Sequence, residues 1–191
     1  MLRIRAILGR DDVAVSEEAK KTFLVESFIP GCEVALEGLL VEGDLRVLAI
    51  FDKPDPLDGP FFEETIYVTP PRLACDVQKA IAHTTAEACK ALGLTSGPIH
   101  AELRLNDDGP WVIEVAARSI GGLCSRTLRF GTGMSLEELI LRQALGWPLM
   151  STERDDRAAG VMMIPIPRAG RLAGVQGVEA AKAVLGIEDV V

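Results

Sequence analysis

Acidic and basic side chains gather on one face of a predicted β-hairpin between residues 97 and 118. In the segment GPIHAELRL, His100, Glu102 and Arg104 alternate with apolar residues, so all three lie on the same face of a strand. In the segment WVIEVAAR, Glu114 and Arg118 share the face opposite the apolar residues. A hairpin of these two strands therefore places two carboxylates, two guanidinium groups and an imidazole side by side.

The register of this hairpin follows if the apolar faces of both strands join one core. Because side chains alternate with a period of two, a slip of one residue would turn one strand inside out. A three-residue loop, Asp107 to Gly109, gives the required register, with the glycine in the left-handed conformation. This register places Glu102 directly opposite Glu114. The apolar face of the second strand then comprises Trp111, Ile113, Val115 and Ala117.

Two carboxylates opposite each other in neighbouring strands repel, and the repulsion must be offset. A divalent cation, a shared proton that raises one pKa, or the flanking Arg104 and Arg118 would each do so. Hard oxygen donors without a second histidine or a thiolate suit Mg²⁺ or Mn²⁺ better than Zn²⁺, and Mg²⁺ commonly takes one or two carboxylates together with substrate phosphates. The pair therefore indicates nucleotide chemistry, although a solvated face of an antiparallel sheet carries the same pattern.

Further strands are predicted on the N-terminal side of this hairpin. The segment TFLVESFI is a strand candidate that ends at Pro30-Gly31. The segments CEVALEGLLV and LRVLAIFD flank a turn at Glu42-Gly43-Asp44 and predict a second hairpin. Lys53 follows this hairpin in a loop, where it either reaches the nucleotide or acceptor site or is a solvated surface charge.

Two helices and a C-terminal appendage complete the pattern. Apolar residues recur at helical spacing between residues 73 and 92 and stop at Gly93, and Ser135 with Glu138 forms a capping box for a later helix. Strands that alternate with helices indicate an α/β or α+β domain rather than a helix bundle or a β-sandwich. After a linker from Met150, GVMMIPIP is a short strand and the remaining residues form a small glycine-rich appendage.

Composition excludes several classes of partner. The chain has 191 residues with 20 basic and 28 acidic side chains, a formal net charge of −8, and a pI near 4.9. Such a balance attracts neither nucleic acid nor anionic lipid, and no apolar run approaches the length of a transmembrane helix. We expect a cytoplasmic protein. The cysteines at 32, 75, 89 and 124 have no CxxC spacing, so we expect them to be reduced and buried.

The segment ESFIPGCE at residues 26–33, together with the carboxylate hairpin, resembles the second half of the ATP-grasp fold. The resemblance implies an α+β class, an antiparallel sheet with flanking helices, over residues 1–150. It also implies that Glu26 and the backbone around Phe28 and Ile29 meet the adenine edge, and that Glu33 accepts hydrogen bonds from the ribose. The metal ligands for Mg²⁺ or Mn²⁺ would be Glu102 and Glu114.

The segment EVAAR resembles the L-amino-acid ligase branch of that superfamily. Many ATP-grasp enzymes have E-x-N here, but Ala116 cannot coordinate a metal, so the second metal would be held less completely. Residues 151–191 resemble the small C-terminal domain of those ligases. Arg118 is then the catalytic guanidinium, and the backbone N–H groups of Gly121 and Gly122 are expected to approach the phosphorylated intermediate.

The resemblance implies an ATP-dependent carboxylate–amine ligase with small-molecule substrates. An acceptor carboxylate attacks ATP to give an acylphosphate and ADP, and an amine then displaces phosphate to form an amide. The alternatives are a glycinamide ribonucleotide synthetase-like or biotin carboxylase-like protein, a non-catalytic nucleotide-binding or assembly module, and a metal hydrolase using His100. Because no lysine-bearing strand with a glycine-rich turn precedes Glu26, we expect the isolated chain to be an inactive fragment, and we expect a homodimer.

Overall fold

The computed structural model describes the chain except for residues 1, 11–12, 14–15, 17, 23, 57–63 and 167. Its described strands are β1 Cys32–Val41, β2 Asp44–Asp52, β3 Ile66–Thr69, β4 Gly97–Asn106, β5 Gly109–Ala116, β6 Arg129–Phe130, β7 Met134–Ser135 and β8 Ala159–Met162. Its described α-helices are α1 Leu2–Leu8, α2 Cys75–Ala91, α3 Leu136–Ala144 and α4 Val178–Lys182, and two short 3₁₀ turns span Ala19–Lys21 and Cys124–Thr127.

Six strands form one antiparallel sheet in the order β5-β4-β1-β2-β3-β8. The strands β6 and β7 pair separately as a short ribbon. Helices flank the large sheet, which confirms the predicted α+β class. The strand predicted within GVMMIPIP is also present as β8, and it pairs with β3 at the edge of the main sheet. The division of the chain at residue 150 stays a prediction.

The predicted hairpin of β1 and β2 is present, but its turn is shorter than predicted, because Asp44 already pairs with Val41 and leaves only two residues in the turn. Glu42 and Gly43 both have positive φ, 54° and 91°, as a type I′ turn requires. The longer β1 pairs with β2 on one side and β4 on the other, so it is the central strand of the site. Side chains on both of its faces are buried over residues 34–40.

The hairpin of β4 and β5 reaches the predicted pairing by a different route. Its loop has two residues, since Asn106 pairs with Gly109, so the predicted three-residue loop is wrong. A β-bulge at Ile113 then inserts one residue into β5 and restores the pairing of Glu102 with Glu114. Between the turn and the bulge the faces of β5 are exchanged. The predicted apolar set is therefore wrong there: Val112 packs in the core, while Trp111 and Ile113 are exposed.

The segment predicted as a strand before Pro30 has no ladder. Residues 24–30 are extended without strand hydrogen bonds, and Phe23 lies outside the described residues. Leu24 and Val25 are exposed. The prediction of a strand is wrong for the described residues because alternation does not supply a neighbouring strand with which the backbone can pair.

The helix α2 ends, and the helix α3 begins, at the residues that the sequence predicts. At the end of α2, Gly93 has φ of 72° and donates to the carbonyl of Lys90, while the N–H of Leu94 donates to the carbonyl of Cys89. These two bonds form a Schellman motif. At the start of α3, the hydroxyl of Ser135 accepts a hydrogen bond from the N–H of Glu138. No described helix is long and apolar enough to cross a membrane.

The two faces of the large sheet pack against different partners. On one face, α2 covers apolar side chains of β1, β2 and β4. On the other, a second core forms with residues 120–139, but charged side chains from β1 and β4 are buried beside it. The cysteines divide as well: Cys89 and Cys124 are buried as expected, whereas Cys32 and Cys75 are exposed because they begin β1 and α2. All four are free thiols.

Candidate functional site

Three glutamates from separate elements converge on one lysine ammonium. Glu33 lies in β1, Glu64 precedes β3 and Glu102 lies in β4, while Lys53 directly follows β2. The Nζ atom of Lys53 donates to carboxylate oxygens of these glutamates at 2.8, 2.5 and 2.9 Å. The lysine is only 6% exposed. The ammonium therefore connects β1, β4 and the residues that precede β3 at the floor of the site.

The electrostatics of this cluster keep Lys53 and Glu102 charged. Burial alone would lower the pKa of Lys53, but its hydrogen bonds to the three glutamates outweigh burial and hold the pKa well above its ordinary value. The hydrogen bond from His100, then those involving Glu64 and Lys53, hold the pKa of Glu102 far below its usual range despite its burial. The ammonium of Lys53 and the carboxylate of Glu102 are thus both ionised at neutral pH.

The donor set of this cluster fits a hard divalent cation. Glu33, Glu64 and Glu102 each offer a carboxylate oxygen within 4.8 Å of the others. Carboxylate oxygens are the protein ligands that Mg²⁺ and Mn²⁺ prefer, and Mg²⁺ commonly adds oxygens of substrate phosphates. The cluster can therefore hold such an ion with a nucleotide, provided that the ammonium of Lys53 moves aside or remains as a further counter-charge.

His100 connects the cluster with a second buried carboxylate. Its Nε2 atom lies 3.5 Å from Glu102, and its Nδ1 atom lies 3.5 Å from Glu37. Burial opposes protonation of the imidazole, but hydrogen bonding and the negative charges of Glu102 and Glu37 prevail and raise the pKa of His100 to about 9. At neutral pH the histidine is therefore an imidazolium between two carboxylates.

Arg104 organises the segment that precedes β1. Its guanidinium donates to Glu33 at 3.2 Å and to the carbonyl of Ile29 at 3.0 Å. It also lies 4.7 Å from the ring centroid of Phe28, which is 61% exposed. Glu26, earlier in the same segment, is exposed. The residues predicted to meet adenine and ribose are thus held along the edge of the charged cluster.

A small cavity of about 150 Å³ opens above the cluster. Arg118, Gly121 and Gly122 line it together, and their predicted action on one substrate stays a prediction. The guanidinium of Arg118 is exposed and donates to the carbonyl of Ser119. The cavity is completed by Glu64, Tyr67, His100, Glu102, Ile120, Cys124 and Met163. The lining therefore combines ionisable side chains with apolar ones.

Glu114 is placed differently from the other predicted acidic residues. It pairs directly with Glu102 across β4 and β5, as the sequence predicts. Its side chain is exposed, however, and the carboxylate cluster formed among the described residues comprises Glu33, Glu64 and Glu102. The role of Glu114 as a metal ligand stays a prediction.

Sequence reasoning missed part of this cluster. The sequence leaves two alternatives for Lys53, a site residue or a solvated surface charge. It does not identify Glu64. Its partner Lys53 is 11 positions away, and Lys53 is 49 positions from Glu102, so no local pattern connects the three. The only available signal was that Lys53 directly follows a strand that ends in the apolar run VLAIF.

Comparisons with known proteins identify the family of this chain. A sequence profile described as an ATP-grasp domain matches residues 5–127. The chain belongs to the ATP-grasp family. It is similar to an L-amino acid ligase from Bacillus licheniformis, whose crystal structure superimposes with a TM-score of 0.70 and 37% identity over 83% of this chain and 40% of that chain. The predicted resemblance to the ATP-grasp superfamily is therefore confirmed.

Two curated relatives are ligases or synthases by name. The chain is 30% identical to carnosine synthase 1 from Gallus gallus over 166 residues, which cover 82% of this chain and 18% of that protein. It is 33% identical to a D-alanine–D-alanine ligase from Gloeobacter violaceus over 130 residues, which cover 62% of this chain and 41% of that protein. The chain thus spans less than half of the length of each of these relatives.

Proposed function

We propose that this protein is an ATP-dependent carboxylate–amine ligase that acts on amino acids. The observation that carries the proposal is that one cavity is lined both by Arg118, Gly121 and Gly122 and by the carboxylates of Glu64 and Glu102. A cavity whose lining includes a cation, carboxylates and apolar side chains suits a small zwitterionic substrate. The names of the ligase relatives support the same reaction class.

The nucleotide would lie between the segment before β1 and the charged cluster. We propose that the backbone around Phe28 and Ile29, with Glu26, meets the adenine edge and that Glu33 meets the ribose hydroxyls. Glu102 and Glu114 would hold Mg²⁺ or Mn²⁺, with Glu33 and Glu64 close by. The ion, when bound, neutralises charge on the transferring phosphoryl group.

The reaction we propose has two steps. An oxygen of the acceptor carboxylate attacks the γ-phosphorus of ATP, and the bond from that phosphorus to ADP breaks. The nitrogen of an amine then attacks the acyl carbon, loses a proton, and phosphate leaves, so that an amide, ADP and phosphate are formed.

In both steps negative charge develops on phosphoryl and acyl oxygens. The planar fork of Arg118 offers paired N–H donors to such oxygens, and the backbone at Gly121 and Gly122 can approach them closely because no side chain intervenes. Fixed donors aimed at developing charge supply most of the rate enhancement in reactions of this kind.

An acceptor screen tests this function. The full-length gene product is incubated with MgATP and panels of L-amino acids, phosphoribosylamine and bicarbonate, and ADP release and coupled products are measured. We expect ADP release that requires an amino acid, with an amide product found by mass spectrometry. ADP release only with phosphoribosylamine or bicarbonate would instead support the two alternative ATP-grasp reactions, and nucleotide binding without turnover would support a non-catalytic module.

Two further expectations enter the same experiment. Residues 1–191 alone are assayed in parallel, and we propose that they bind MgATP weakly and turn it over no faster than the buffer control. We also propose a cytoplasmic location and a homodimer, and light scattering of the purified protein tests the homodimer.

A further inference from the structure

A carboxylate that the proposed reaction does not use lies directly behind the cavity. Glu37, on the central strand β1, is completely buried and pairs across the sheet with His100. Burial raises the pKa of Glu37, while His100, the N–H of Ile120 and the charge of Arg118 oppose the rise. A buried carboxylate is costly unless it is paired and hydrogen-bonded, so the groups that face it indicate what it does.

One oxygen of Glu37 anchors the loop that carries the catalytic candidates. Its Oε2 atom accepts a hydrogen bond of 3.0 Å from the N–H of Ile120. Ile120 lies two residues after Arg118 and immediately before Gly121, and its own side chain is buried. The loop leaves the sheet at the end of β5, so this bond from β1 is a direct tether between the central strand and the cavity wall.

The same carboxylate also faces the imidazole. Oε2 of Glu37 lies 3.5 Å from Nδ1 of His100, and the opposite ring nitrogen faces Glu102. His100 is 5% exposed and lines the cavity. A carboxylate on one side of an imidazole fixes which way the ring is oriented and favours its protonated form. Among the described residues, neither Oε1 of Glu37 nor Nδ1 of His100 has a hydrogen-bond partner, so Glu37 and the imidazole interact as an ion pair.

We propose that Glu37 is a positioning residue that holds Arg118, Gly121 and His100 in the correct position for the acceptor substrate. This inference rests on the proposed ligase function. It acts through the N–H of Ile120 and the ring of His100 and does not itself touch substrate. A misplacement of about 1 Å at such groups costs about 100-fold in rate. Nucleotide affinity depends on other residues, chiefly those before β1, and is left nearly unchanged.

A comparison of two substitutions separates positioning from folding. Glu37→Gln keeps a side-chain oxygen that can accept from Ile120, whereas Glu37→Ala removes the tether. We expect kcat for amide formation to fall about 10-fold in Glu37→Gln and about 100-fold in Glu37→Ala, with the dissociation constant for MgATP within about threefold of wild type. A smaller loss of kcat in Glu37→Gln than in Glu37→Ala would show that the hydrogen bond to Ile120 matters for the rate.

Thr85→Val provides a matched control on the other face of the sheet. Thr85 is completely buried in α2, and its hydroxyl donates to the carbonyl of Ile81. The substitution therefore removes a buried polar group without touching the cavity. We expect it to lower stability and to leave kcat per folded molecule unchanged. All rates are divided by the folded fraction, which is measured by urea denaturation.

Amide hydrogen exchange at Ile120 tests the tether independently of activity. We expect protection in the wild type and in Glu37→Gln, and fast exchange in Glu37→Ala. The proposal is overturned if Ile120 stays protected in Glu37→Ala, if kcat per folded molecule equals that of the wild type, or if kcat and nucleotide affinity fall together. Loss of protection in a protein whose wild type forms no amide would show that the tether exists and that the ligase function is wrong.

Discussion

The two faces of the central sheet are built from the same strands but bury opposite kinds of side chain. Towards α2, Leu36 and Leu103 are buried in a core of apolar side chains, beside the uncharged Thr85 of α2. Towards the cavity, Glu37 and Arg104, from the same strands, are equally buried but charged. Alternation along a strand thus allows one set of residues to stabilise the fold while its neighbours position charges. Substitutions on the two faces should therefore have different consequences.

The largest expected effect is on turnover, at the two carboxylates that we propose as metal ligands. Glu102→Gln and Glu114→Gln should each reduce amide formation at least about 1000-fold in the full-length protein, since each removes a charged oxygen donor for the ion. Urea denaturation should show a folded protein in both cases. Ile81→Val, a conservative change in the apolar core, is the matched control and should leave turnover unchanged.

The same assay, extended to Glu64→Gln, distinguishes two possible sets of metal ligands. If Glu114→Gln turns over at the wild-type rate while Glu64→Gln does not, the metal ligands are the clustered carboxylates rather than the pair opposite each other in the hairpin. Wild-type turnover in both Glu102→Gln and Glu114→Gln would contradict the assignment of either as a ligand.

Lys53→Met should have the largest effect on stability. It leaves three carboxylates without their common ammonium, and removal of one partner from a buried ionic cluster costs about 3 kcal/mol or more. Urea denaturation in the absence of metal measures the loss. Lys90→Met at the exposed end of α2 is the control and should change the unfolding free energy by less than about 0.5 kcal/mol. Mg²⁺ should restore part of the stability of Lys53→Met, and a loss no larger than that of the control would contradict the structural role of the ammonium.

Arg118→Lys should have a smaller effect that separates rate from binding. The substitution keeps the positive charge but loses the planar pair of donors, so kcat should fall about 30-fold while MgATP affinity changes less than about threefold. Steady-state kinetics and calorimetry measure the two quantities, and Arg142→Lys, in a surface pair with Glu138, is the control. Equal losses of rate and affinity would make Arg118 a nucleotide contact.

The smallest expected effect is the pH dependence that His100 confers on stability. Because the folded pKa of about 9 lies above the unfolded value near 6.5, the contribution of His100 is fully present below pH 6.5 and is lost as pH rises through 9. In the presence of a chelator, the free energy of unfolding of the wild type should be larger than that of His100→Gln. This difference should be about 1–2 kcal/mol greater at pH 6 than at pH 9. Urea denaturation across this range measures the difference, and a constant or growing difference would contradict the imidazolium.

Local alternation predicted the parts of the site that lie within a single strand or hairpin. His100, Glu102 and Arg104 share a face as expected, and the predicted hairpin of β1 and β2 is present. The bulge at Ile113 was not predictable, because it depends on how β5 pairs with β4 after a two-residue turn. The predicted pairing of Glu102 with Glu114 is confirmed, although the predicted length of the loop between β4 and β5 is wrong.

Contacts between distant elements account for what the sequence did not predict. The burial of Lys53 results from carboxylates contributed by β1, β4 and the residue before β3, and no spacing in the chain encodes their meeting. The tether from Glu37 to Ile120 joins residues 83 positions apart. The partner of Glu37 results from the packing of a loop onto the face of the sheet on which Glu37 lies.

Oxygen transfer from the acceptor provides the most direct test of the central claim, which is that the charged face activates a carboxylate by phosphorylation. An amino acid labelled with ¹⁸O in both carboxylate oxygens is incubated with MgATP, the amine substrate and the full-length protein, and the released phosphate is analysed by mass spectrometry. The acylphosphate route predicts one ¹⁸O atom in each phosphate and one in each amide. Amide formation with unlabelled phosphate, or with AMP and pyrophosphate as products, would contradict it.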